Sequence, residues 1–296
     1  SPPAAPTPLP TAMPATPAAD FPITVSDDLD RRVTLTAKPE RIISLLPSNT
    51  EILFAVGAGE QVIGVTSYCN YPPEAATRRQ IGGITVQSIS VETIIAMEPD
   101  LILSTQAQAE IIDTLTGTGL TVIALQPRTL DDIYANIELV GRITGHPDKA
   151  AALVTGLRRR AEAVEAAVAA VPQRERLDVF YEVWHDPLMT TGPNTFIGQI
   201  ITLAGGDNIF ADVAEDWPQV SSEVVVTRNP AVILGPDSHG DALTGDSIAR
   251  RPGWAGLEAV QTGRIYLLDG DAVSRPGPRL IDMLEEIARD LYPDRF

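Results

Sequence analysis

Hydrophobic and polar positions change their period from segment to segment along this chain, and each change marks an element. Apolar and polar residues alternate over ITVS and RVTL on either side of the turn DDLD, so 23–35 reads as a hairpin. RIISLLP (41–47) and QVIGVT (61–66) are instead short unbroken apolar runs, the mark of strands buried on both faces. Between them SNTEILFAVGAG (48–59) has helical spacing: Ser48 or Asn49 is the expected cap, Glu51 falls in the first turn, and Gly57 and Gly59 close it. Strand, short helix, strand is the rhythm of a parallel sheet with helices on its faces.

The pattern is then written a second time. VETIIAMEPDLILS (91–104) aligns without gaps on SEVVVTRNPAVILG (222–235), matching Glu92 to Glu223, Pro99 to Pro230 and the closing Ile-Leu pair. A looser echo sets SNTEILFAVGAGEQVIG (48–64) against PNTFIGQIITLAGGDNIF (193–210). Between the copies, DKAAALVTGLRRRAEAVEAAVAAV (148–171) places Leu153, Leu157, Ala161, Val164, Val168 and Val171 on helical spacing. A helix of that length would span about 36 Å. It could be an ordinary surface helix, but its place midway between the copies favours a stiff connector. The expected fold class is α/β, with two lobes of central parallel-rich sheets flanked by helices and joined by a single long rigid helix. The expected division is a Pro/Ala-rich tether at 1–22, an N-terminal lobe at 23–147, the connecting helix at 148–171 and a C-terminal lobe at 172–296. A chain of 296 residues is long enough for each lobe to bury a core of its own.

Composition narrows the function. SPPAAPTPLPTAMPATPAAD, at the start, holds seven prolines among small residues and reads as an extended tether, the remnant expected of an exported chain after loss of a leader and a lipid-bearing cysteine. A formal charge of -17 argues against nucleic acid and anionic membrane surfaces as partners. One cysteine, Cys69, excludes an intramolecular disulfide and a multi-cysteine metal site, and reads as a buried thiol. His146, His185 and His239 share no helical face, so no metal site is expected. GxSxG, HExxH and a phosphate loop are absent, and the glycines of GAGEQVIG follow a helix instead of preceding one. The chain does not read as an enzyme, and no cofactor is expected.

Only 5% of residues are aromatic, yet Tyr68 and Tyr71 fall in SYCNYPPEA, Tyr181 and Trp184 in YEVWHDP, and Trp217 in DWPQV. These loops follow apolar strands, and in α/β lobes the ligand crevice forms at the carboxyl ends of strands. Plugging of the sheet ends competes with ligand contact, most strongly for Trp184 and Tyr71. His185 closes its apolar run where a strand would open between the lobes. SRPGPR (274–279), after the strand RIYLLDGD (264–271), brings Arg275 and Arg279 on a stiff loop, able to bind ligand oxygens or to pair with Asp271 or Asp282.

In this order, RIISLLPSNTEILFAVGAGEQVIGVTSYCNYPPEA, PDLIL, AGGDNIF and WPQVSSE resemble the periplasmic vitamin B12-binding protein family, the helical-backbone substrate-binding proteins of ABC importers for cobalamin and ferric siderophores. The likeness runs from Ile23 to Phe296. It implies a monomeric extracytoplasmic protein of the periplasm or cell surface, touching the membrane only through a removed N-terminal lipid anchor. Such a protein would capture cobalamin or a related corrinoid between its lobes and deliver it to an ABC permease dimer; a ferric siderophore or haem is the alternative. By position, the ligand contacts implied are Tyr68, Trp217, Asp271 and Arg275, with Met189, Trp184 and His185 beside them, and the permease-docking residues are Glu92 and Glu223. Two departures stand out. Other pocket aromatics of the family fall on smaller residues near Val86, Thr105 and Met189, and Ala204 stands where one half-cystine would be.

Overall fold

A computed structural model describes residues 21–237 and 244–296. Nearly all of the expected tether and His239 lie outside the described residues. The hairpin is β1 (Ile23–Ser26) paired antiparallel with β2 (Arg32–Leu35). The N-terminal sheet is built from β3 (Ile42–Ser44), β4 (Val62–Val65), β5 (Arg79–Gln80), β6 (Leu101–Ser104) and β7 (Val122–Ala124). Its helices are α1 (Pro47–Ala55), α2 (Val91–Ala96), α3 (Ala109–Gly117) and α4 (Leu130–Thr144). Helix α5 (Pro147–Val168) then crosses to β8 (Leu177–Tyr181), the small hairpin β9 (Trp184–His185) and β10 (Leu188–Met189), and α6 (Phe196–Leu203). Strand β11 (Gly206–Asn208), α7 (Ser222–Arg228), β12 (Val232–Pro236), α8 (Gly245–Ala249) and α9 (Glu258–Thr262) follow. Strand β13 (Ile265–Leu268), α10 (Gly270–Ser274) and α11 (Leu280–Leu291) complete the chain.

Both large sheets are parallel, in the orders β5-β4-β3-β6-β7 and β11-β8-β12-β13. Apart from β5, the second order repeats the first strand for strand. The echo in the sequence therefore extends to topology, and even to single residues. Ser90 and Ser221 cap α2 and α7, their hydroxyls accepting from the amides of Thr93 and Val224 at 3.2 and 3.4 Å. Each unit then turns through a left-handed non-glycine residue at the same place before its proline, Glu98 (φ 46°) and Asn229 (φ 45°).

Helix α1 begins earlier than its composition suggests. Leu46 is its N-cap and Pro47 opens it, because a fixed φ and a missing N–H suit the first helical position. Ser48 and Asn49 thus lie inside the first turn, and Asn49 instead donates to the Ser104 carbonyl at 3.1 Å. The expected strand 264–271 also ends sooner, at Leu268, because Asp269 caps α10 by accepting from the Ala272 amide at 2.9 Å.

The lobes do not bury wholly separate cores. One apolar cluster runs from the N-terminal sheet (Leu101, Ile123) through α4 and α5 (Ile137, Leu157) to α11 and the C-terminal sheet (Leu284, Val232). Two smaller clusters fill the far face of each sheet, around Ile43 and Ile102 in one and Phe180 and Trp254 in the other. Arg160 of α5 is clamped by Glu285 (2.7 and 2.8 Å) and Asp282 (2.6 Å) of α11, so the connector is tied to the second lobe along its side.

Candidate functional site

The carboxyl ends of the strands in both sheets face one another across a cleft of about 530 Å³. From the first lobe come Pro47 and Ser48 after β3, Tyr68 after β4, Thr105 after β6, and Leu125, Gln126 and Pro127 after β7. From the second come Tyr181 and Val183 at the end of β8, Phe196 and Ile197 of α6, Trp217, Pro236 at the end of β12, and Asp271 and Arg275 around α10. The lining is mainly apolar and aromatic, as a pocket for a small organic molecule requires.

Tyr68 and Trp217, from opposite lobes, remain 55% and 39% exposed, unusual for large rings and free to meet a ligand. Trp217 is held in place from behind. Its ring meets Phe196 edge-on at 5.8 Å, and the amides of Gly192 and Thr190 donate to the carbonyls of Asp216 and Pro218 at 2.8 and 3.0 Å. A Cβ at Gly192 would lie 2.1 Å from the Glu215 carbonyl oxygen, so only glycine allows the turn to lie this close. Asp216 also bonds Arg128 across the gap between lobes. A smaller cavity of about 250 Å³ beside this pair shares Gln126, Pro127, Phe196 and Trp217 with the cleft.

At the other end the lobes are joined by charge. Glu51 of α1 is 3% exposed and receives Arg279 through Nε (2.9 Å) and Nη2 (2.7 Å), together with Nη1 of Arg275 (3.1 Å). Arg275 also donates to Asn70 Oδ1 (2.7 Å) and the Tyr68 carbonyl (3.3 Å), and pairs with Asp271 (2.6 Å). Asn70 closes the ring by donating to Asp271 Oδ2 at 2.7 Å. Arg279 lies 4.2 Å over the ring of Tyr71, so Tyr71 carries a guanidinium and lies outside the cleft lining. Of the two arginines in SRPGPR, Arg275 lines the cleft and pairs with Asp271, as one alternative allowed; Glu51 is the partner of both, some 224 and 228 residues away in sequence.

Tyr68, Trp217, Asp271 and Arg275 are thus brought together. Trp184, His185 and Met189 are not: they form the β9-β10 hairpin, outside the lining, with Met189 opposite Trp184 and the rings of Trp184 and His185 5.3 Å apart. Thr105 lines the cleft and bonds Gln126, whereas Val86 lies outside the lining. Cys69 is buried, with the hydroxyls of Thr50 and Thr66 at 3.1 and 3.2 Å. Burial raises the pKa of Tyr181, which stays neutral in the cleft floor. Glu92 and Glu223 sit exposed in the first turns of α2 and α7, and the Ser221 hydroxyl and backbone bonding hold the Glu223 carboxyl below the usual range. Sequence reading missed Glu51, Asn70 and the Arg128–Asp216 pair, whose partners are distant in the chain.

Two α/β lobes meeting across an aromatic cleft define a site shaped to capture a small molecule. Comparison with known proteins gives the class a family. The model described as "Periplasmic binding protein" matches residues 42–272, and the chain belongs to that family. The chain is 35% identical, over 93% of its length and 87% of the relative, to the uncharacterized ABC transporter substrate-binding lipoprotein YvrC of Bacillus subtilis (strain 168). It is 31% identical, over 93% of its length and 75% of the relative, to a cobalamin-binding protein of Halobacterium salinarum. The crystal structure of the periplasmic vitamin B12 binding protein BtuF of Vibrio cholerae superposes with a TM-score of 0.74 at 31% identity, covering 86% of this chain and 98% of that one. Membership places the protein among binding proteins for transport, not among enzymes.

Proposed function

We propose that this protein captures cobalamin or a related corrinoid outside the cytoplasm and delivers it to the permease of an ABC importer. The observation that carries the reading is the facing of Tyr68 and Trp217 across an apolar cleft in which the charged groups Asp271 and Arg275 are already paired. Such a lining suits a large, flat, uncharged ring system. The names of the cobalamin-binding and vitamin B12-binding relatives support the ligand class, and the lipoprotein relative supports an anchored, extracytoplasmic life. Residues 23–147 and 172–296 serve as the two lobes, and the helix between them as a rigid spacer. Glu92 and Glu223, on equivalent helices of the two lobes, meet basic side chains of the permease; exposed charges of this kind set encounter and register more than affinity.

A haem or ferric siderophore ligand is the second reading, favoured by the exposed phenol of Tyr68, an oxygen ligand standing in the cleft. Calorimetry with cyanocobalamin, haemin and a ferric hydroxamate separates the two. Cyanocobalamin is expected to bind with micromolar or tighter affinity, and Trp217→Ala and Tyr68→Ala each to weaken it roughly fivefold, for about 1 kcal/mol of lost stacking. No heat with any corrinoid, alongside binding of haemin or the siderophore, would transfer the function to the second reading.

A further inference from the structure

We propose that Asp271 masks Arg275, and that this mask makes the cleft reject ligands bearing carboxylates or phosphates. The inference rests on the reading of the cleft as the ligand site, but concerns the charge it selects. A guanidinium beside an apolar pocket ordinarily attracts anions, because its donors match two oxygens at once. Arg275 is such a group: it lines the cleft, is only 9% exposed, and is fixed by Glu51 and Asn70.

Its second terminal nitrogen is engaged as well. Nη2 meets Asp271 Oδ1 at 2.6 Å, and the second Asp271 oxygen takes the Asn70 amide at 2.7 Å, so both oxygens of the carboxylate are held. The Asp271 side chain is 44% exposed while that of Arg275 is 10% exposed, which puts the negative partner of the pair toward the ligand. Counting Asp271, three carboxylates (Glu51, Asp269 and Asp271) hold the two guanidiniums of Arg275 and Arg279. The cluster carries an excess of negative charge, and an incoming anion meets repulsion where an unmasked Arg275 would give attraction. Peripheral amides can still donate to Asp271 and lose nothing. Asp271 therefore acts on specificity by exclusion.

The test uses one corrin ring with two kinds of edge: dicyanocobinamide, whose periphery bears amides, and dicyanocobyrinic acid, whose periphery bears carboxylates. Affinities are measured by calorimetry for the wild-type protein, Asp271→Asn, which keeps the shape and removes the charge, and Asp271→Ser, which also opens the space. The wild type is expected to prefer the amide ring by tenfold or more. Either substitution should narrow that preference about tenfold, the effect of one unit charge a few ångströms away in partly screened surroundings. Adding Arg275→Gln to Asp271→Asn should restore it. A preference unchanged in both single variants overturns the mask. If the wild type takes up neither ring, the corrinoid reading falls and haemin, a dicarboxylate on another macrocycle, reads the mask alone. A tenfold gain for haemin on losing Asp271 then supports it, and no gain overturns it.

Discussion

Asp290 shows how a single residue sets a pH dependence in this fold. Burial on α11, reinforced by Glu286 one turn back and opposed by Arg289, pushes its carboxyl up to about 6 from an ordinary 3.8. Between those values the folded chain holds a proton that the unfolded chain has released. Stability from this group therefore falls as pH rises through the window, and the cost is complete above about pH 6. Replacing Asp290 with Asn should stabilise the protein by about 1 kcal/mol at pH 7.5, a figure discounted for partial exposure, and the gain should vanish near pH 4. Urea denaturation at the two pH values reads the difference; an equal gain at both would show that charge is not the cause. At this scale the sequence was uneven. Trp217 was legible as a loop residue, flanked by Asp216 and Pro218, although plugging of a sheet end competed there with ligand contact. Glu51 was not: its position suggested a helix-end charge, and nothing local announces that two arginines more than two hundred residues away enclose it.

Among the elements, α2 and α7 were the most legible, because a glutamate, a proline and a closing Ile-Leu pair recur in both copies at fixed spacing, while their serine caps, one residue ahead of the matched segments, came only with the structure. Their equivalence makes a prediction of its own. Reversing one charge, Glu92→Arg or Glu223→Arg, should reduce permease-dependent uptake of labelled ligand, and reversing both should abolish it, with ligand affinity in solution unchanged. Uptake at the wild-type rate in the double variant would remove both residues from docking. The hairpin β9-β10 was the least legible element. YEVWHDP continues the apolar run of β8, but β8 ends at Tyr181 and the chain turns back on itself through 184–189, carrying Trp184, His185 and Met189 away from the cleft lining. Two-residue strands leave too little periodicity to be read.

At the scale of the whole molecule, the repeat and the connector were visible in sequence, and the sharing of one core between lobes was not. That core, the clamp on Arg160, the enclosed Glu51 and the Arg128–Asp216 bond all oppose movement of one lobe against the other. Closure on binding should be small. Solution scattering with and without ligand should give radii of gyration within about 1 Å of each other, whereas a hinge-type change would contradict the role of the helix. The two straps, one at each end of the cleft, also bear on the return journey of the cargo. A container that neither yawns open nor snaps shut has no spring with which to expel its contents. If closure is that small, emptying the cleft is work for an outside partner, which would have to part the Glu51 carboxylate from the two guanidiniums that hold it across the lobes.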